Sequence, residues 1–73
     1  MRIQRDYGKI LKILSSNIRR LRLERGLTQE DMADYGFNYR HYQKLESGTY
    51  SPNLQTLHRL AIALNTEISN FFN

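Results

Sequence analysis

Leu11, Leu14, Ile18 and Leu21 recur at spacings of three and four, which places them on one face of a helix. Ile10 and Ile13 widen that face, and Gly26 is positioned to end it. Ser15, Ser16 and Asn17 are weak helix formers and good caps. Residues 1–13 are therefore either a separate helix or an extension of the same one. Thr28 opens a second helix as its N-cap, and Asp31 follows three residues on as a short-armed capping box. Met32, Ala33 and Tyr35 give this helix an apolar side, and Gly36 stops it. Asn38 caps a third helix running to about Ser47, with Phe37, Tyr42 and Leu45 turned inward and Gly48 at its end. Ser51-Pro52-Asn53 starts a fourth, whose apolar face is Leu54, Leu57, Leu60, Ala61 and Leu64. Asn65 or Thr66 breaks it, and residues 67–72 form one or two last helical turns.

The pattern predicts an all-α fold of five helices in one domain spanning residues 1–73, with no strand, repeat or linker. The second and third helices are short and meet through Gly36-Phe37-Asn38. Two short helices joined by so tight a turn form a helix-turn-helix, whose second helix can lie in the DNA major groove.

Charge sharpens this picture. Residues 1–25 hold eight basic and two acidic side chains, while residues 26–73 hold three basic and five acidic, giving the net +4 of the whole chain. A basic segment suits a polyanionic partner, although a solubilising surface has the same composition. There is no cysteine, which excludes disulfides, thiolate metal sites and a cysteine nucleophile. No apolar run is long enough to cross a membrane and no secretory signal opens the chain, so a soluble cytoplasmic protein is expected.

GLTQEDMA (26–33), a glycine-hydrophobe-polar turn, LESG (45–48) and SPNLQTLHRLAIAL (51–64) follow in an order and spacing that resemble the phage repressor and Cro type of helix-turn-helix family. The resemblance covers roughly residues 14–72. It implies a lambda-repressor-like domain that binds double-stranded DNA and regulates transcription as a dimer on a palindromic operator. Some members of such families instead serve restriction-modification control or pair as antitoxins with a protein partner. The sequence departs from the family pattern in having three steps, not four, from Ala33 to Gly36. Met32 replaces the common leucine, Tyr35 fills the last buried slot of helix two, and Thr66 and Glu67 replace the usual valine and serine.

The resemblance places Tyr39, Arg40 and Lys44 at base-reading positions. Gln43 lies beside them, and the chemistry agrees: Arg and Lys suit guanine O6 and N7, and Gln suits adenine. The same side chains would also make an ordinary solvated face. Gln29 matches a phosphate-binding glutamine, with Thr28, His41, Thr49, Tyr50 and Asn53 as further backbone contacts. Arg22 and Glu46 match a pair that pins the recognition helix to helix one. Ile68, Phe71 and Phe72 are the expected dimer surface, with the amino-terminal extension around Ile10 and Ile13 as the alternative.

An enzyme is not expected. There is no HExxH, glycine-rich phosphate loop or serine elbow, and Asp31 and Asp34 lack a third metal ligand. No cofactor or metal is implied. RNA suits the fold less well than DNA, because its deep, narrow groove excludes a helix.

Overall fold

The computed structural model describes residues 6–73. Five helical elements follow in order: α1 (Tyr7–Glu24), the 3-10 helix η1 (Glu30–Tyr35), α2 (Tyr39–Leu45), α3 (Leu54–Ala63) and the 3-10 helix η2 (Ile68–Phe72). No strand occurs among the described residues. Of the amino-terminal extension, residues 7–13 are the first turns of α1 itself, and residues 1–5 lie outside the described residues.

α1 runs unbroken through Ser15-Ser16-Asn17. Free Ser and Asn side chains compete with the helical backbone for its hydrogen bonds. Here two of the three are occupied. The Ser15 hydroxyl donates back to the Lys12 carbonyl (3.1 Å), and Asn17 Nδ2 donates across the domain to the carbonyls of Phe71 (2.9 Å) and Asn73 (3.0 Å). Beyond Glu24 the backbone closes in a Schellman pattern, with the Leu27 N–H on the Arg22 carbonyl (3.1 Å) and the Gly26 N–H on that of Leu23 (2.9 Å).

η1 has the reciprocal capping expected of Thr28 and Asp31. The Asp31 N–H donates to Thr28 Oγ1 (3.0 Å), and the Thr28 N–H donates to Asp31 Oδ2 (2.8 Å). The element is a 3-10 helix over its whole length. That tighter winding fits the missing residue between Ala33 and Gly36. Gly36 sits at φ 87°, and Phe37 and Gly36 close a second Schellman turn on Met32 and Ala33. Only glycine enters this region at little cost, so the abrupt turn into α2 depends on it. The apolar side expected of this helix narrows to Met32, which is fully buried, whereas Ala33 and Tyr35 are exposed.

The core joins all five elements: Leu14 and Ile18 from α1, Met32 from η1, Phe37 from the turn, Tyr42 and Leu45 from α2, Leu57, Leu60, Ala61, Ala63 and Leu64 from α3 and its end, and Phe71 from η2. Burying an aromatic or aliphatic side chain contributes roughly 1.5–3 kcal/mol, so Phe71 is a main support of this small core. Leu54 departs from expectation. It is the first residue of α3, beyond the edge of the core, and is 70% exposed. Pro52 precedes the Asn53 cap and so lies outside the first helical turn. At the other end of α3, Asn65 adopts φ 51° and ends the helix.

Candidate nucleic-acid interface

α2 is held at its start, its inner face and its end. At the start, Asn38 Oδ1 accepts from the His41 N–H (3.1 Å), satisfying one of the free donors of the first turn. On the inner face, Tyr42 and Leu45 are buried, and Tyr42 meets Phe37 edge to face at 5.9 Å. What remains outward is Tyr39, Arg40, Gln43 and Lys44, all exposed. The helical repeat thus brings the four expected base-reading side chains to one accessible face.

The end of α2 is fixed by an ion pair. Arg22 Nε lies 2.6 Å from Glu46 Oε2, and Arg22 Nη2 lies 3.1 Å from Glu46 Oε1, a two-point contact between side chains only 7% and 4% exposed. A third guanidinium nitrogen, Nη1, donates to the Leu27 carbonyl at 2.6 Å. Burial alone would raise the Glu46 carboxyl. The Arg22 guanidinium, with lesser help from Tyr42 and Gln29, outweighs it and holds the carboxyl below the usual range. The Tyr42 hydroxyl lies close to the same carboxylate but outside hydrogen-bonding geometry. Burial first, and the neighbouring Glu46 carboxylate second, push its pKa well up and keep it neutral.

The expected backbone contacts flank this arrangement. Gln29 Nε2 donates one proton to Glu46 Oε1 (3.1 Å), which leaves its second amide proton for another acceptor. Thr28 Oγ1 accepts from Asp31, so its hydroxyl proton is likewise available. After α2 the loop turns at Gly48, φ 83°. Ser47 Oγ donates to the Lys44 carbonyl (2.7 Å) and accepts from the Thr49 N–H (3.2 Å). His41 and Tyr50 pack edge to face at 5.5 Å, with Nε2 3.2 Å from the Tyr50 hydroxyl. That contact ties the first turn of α2 to the loop behind it. Asn53 Oδ1 caps α3 by accepting from the Thr56 N–H (2.8 Å), and its amide donors remain.

Two supporting residues escaped the sequence pattern. Arg59 of α3 places its guanidinium 4.6 Å from the Phe37 ring centre and donates from Nη2 to the Gly36 carbonyl at 2.8 Å. It therefore clamps the turn that aims α2. Asn17 ties α1 to η2, as described above. No local signal announces either one, because their partners lie 23 and 54 residues away.

The three residues expected at a dimer surface are not equivalent. Phe71 is 0% exposed and belongs to the core of its own subunit, which removes it from any surface. Ile68 is partly buried against that core, and Phe72 is 45% exposed. Among the described residues, no cluster of three His, Cys, Asp or Glu could hold a metal ion. No described helix is long and apolar enough to cross a membrane.

A capped, inwardly anchored short helix with an exposed polar and basic face, joined to η1 by a glycine turn, defines a helix-turn-helix protein. The helix-turn-helix family profile matches residues 18–71. Over 54 residues the chain is 46% identical to the uncharacterized HTH-type transcriptional regulator y4dJ of Sinorhizobium fredii (strain NBRC 101917 / NGR234), covering 73% of this chain and 70% of that protein. Over 50 residues it is 46% identical to the cryptic phage CTXphi transcriptional repressor RstR of Vibrio cholerae, covering 67% of this chain but only 45% of that one. No solved structure matches. The chain belongs to the phage repressor and Cro type of helix-turn-helix family, and it is a DNA-binding transcriptional regulator, not an enzyme.

Proposed function

We propose that the protein represses transcription in the cytoplasm by binding, as a homodimer, to a palindromic operator. Arg40, Gln43 and Lys44, with Tyr39 beside them, read base edges in the major groove. Thr28, Gln29, His41, Thr49, Tyr50 and Asn53 hold the sugar-phosphate backbone. The observation that carries this proposal is the outward face of α2, polar and exposed while its opposite side is locked by the core and the Arg22–Glu46 pair. Rigid presentation of this kind is what groove reading needs. Repression is supported by the similarity to RstR, which is named a transcriptional repressor. Dimerisation follows from reach. One seven-residue helix reads few base pairs, whereas two copies on a two-fold axis meet successive major grooves roughly 34 Å apart. Phe72 and Ile68 supply the contact.

The operator is to be selected from a random duplex pool and titrated against a scrambled duplex. Arg40→Ala should cost about 1–3 kcal/mol on the operator and much less on the scrambled sequence. Gln29→Ala should weaken both alike. Equal wild-type affinity for the two duplexes would defeat sequence reading. Sedimentation equilibrium should give a dimer for the wild type and a folded monomer for Phe72→Ser. Normal dimerisation of that variant would move the contact elsewhere, most directly to the exposed Ile10 and Ile13 of α1.

A further inference from the structure

The family profile begins at residue 18, yet α1 begins at Tyr7, so residues 7–17 form a helical segment ahead of the matched region. This segment is docked onto the loop after α2. The Tyr7 hydroxyl donates to the Ser51 hydroxyl. One to two turns further along, Lys12 and Ser15 line the approach to Gly48. A Cβ built there would come within 3.3 Å of Ser15 Oγ and 3.7 Å of Lys12 Cγ. Residues 7–17 contain Lys9 and Lys12 and no acidic side chain, with Asp6 just before them. Both lysines are exposed, and among the described residues neither takes part in an ion pair.

We propose that Lys12 is a further DNA-backbone contact, which adds one phosphate to those held by the 47–53 loop and extends the footprint beyond the recognition helix. This rests on the proposed role of that loop. The stem of Lys12 lies beside Gly48, so its flexible arm can carry the ammonium to a phosphate at that loop. A lysine supplies a point charge for a phosphate and reads no sequence. Its contribution therefore appears as counterion release, about 0.9 in the slope of log K against log salt for each neutralised phosphate.

The experiment is fluorescence anisotropy with a mixed-sequence duplex of about 30 base pairs, between about 50 and 200 mM salt, the range over which phosphate contacts dominate. Lys12→Gln keeps the Cγ beside Gly48 and removes the charge, and circular dichroism confirms its fold. Its slope should be shallower than wild type by about 0.9, while Lys12→Arg keeps the wild-type slope. Arg20→Gln makes the same change in net charge at an exposed site elsewhere on α1 and should leave the slope unaltered. An unchanged slope in Lys12→Gln, or an equal change in Arg20→Gln, overturns the assignment of Lys12 alone. A wild type that binds no duplex overturns the DNA role of the whole interface as well, so the two failures are distinguishable.

Discussion

Glu46→Gln is the sharpest test of how α2 is held. The substitution keeps the shape of the side chain and removes its charge. Arg22 is then left as a buried cation, with the Leu27 carbonyl at 2.6 Å as its best remaining partner. Breaking a buried pair in this way costs about 3–5 kcal/mol. The low end applies here, because the new amide oxygen and the Leu27 carbonyl still accept from the guanidinium. A domain of 73 residues is stable by about 4–11 kcal/mol in total, so a loss of about 3 kcal/mol is severe. At about 4–8 °C per kcal/mol, Tm should fall by about 12 °C or more, measured by far-UV circular dichroism and checked by urea unfolding. Arg22→Met combined with Glu46→Leu removes both charges and should recover most of that loss. A fall of no more than about 4 °C in Glu46→Gln would refute the reasoning, because the pair would then behave as a screened surface contact worth about 0–1 kcal/mol.

Three further outcomes are expected. Because the folded Glu46 carboxyl lies below its unfolded value near 4.5, its stabilisation is complete above pH 4.5 and is lost as pH falls through the folded value; Tm followed from pH 7 to pH 2 should drop at the acid end, and less steeply in Glu46→Gln, with the exposed Asp31, lowered first by the Thr28 N–H, leaving a residual slope of the same sign. Asn17→Ala removes two donors from the Phe71 and Asn73 carbonyls and should destabilise by about 1–3 kcal/mol in chemical unfolding; wild-type stability would show that water replaces both bonds without loss. Arg59→Met keeps much of the apolar stem but loses the Gly36 hydrogen bond and the cation over Phe37, and it should cost about 1–2 kcal/mol in the same assay, whereas a neutral result would show that the turn needs no clamp.

Much of this architecture was legible because its causes are local. Thr28 with Asp31, Asn38 and Asn53 act within three residues of themselves, and Gly26, Gly36 and Gly48 all take positive φ. The inward turn of Tyr42 and Leu45 and the outward turn of Arg40, Gln43 and Lys44 follow from helical spacing alone. Arg22 and Glu46, 24 residues apart, could be paired only through the family resemblance. Leu54 and Phe71 mark where spacing misleads. Helical periodicity gives direction but not reach, so Leu54, in line with Leu57, still overshoots a small core. Phe71 is expected at a dimer surface alongside Ile68 and Phe72, yet it is fully buried. The core takes the whole ring, and Phe72 is left exposed.

The tie between Asn17 and Phe71 spans 54 residues, and it orders events during synthesis. Every residue proposed to face DNA, from Thr28 to Asn53, is synthesised before Phe71. The ring that completes the core arrives 26 residues after Leu45, about 1–5 s later at typical elongation rates. Closing so long a loop costs about 3.5 kcal/mol of chain entropy beyond a constant, which an unfinished core cannot offset. A growing chain therefore carries the residues proposed to face DNA without a rigid helix to present them. Competence to engage DNA should switch on only after Phe71 has emerged.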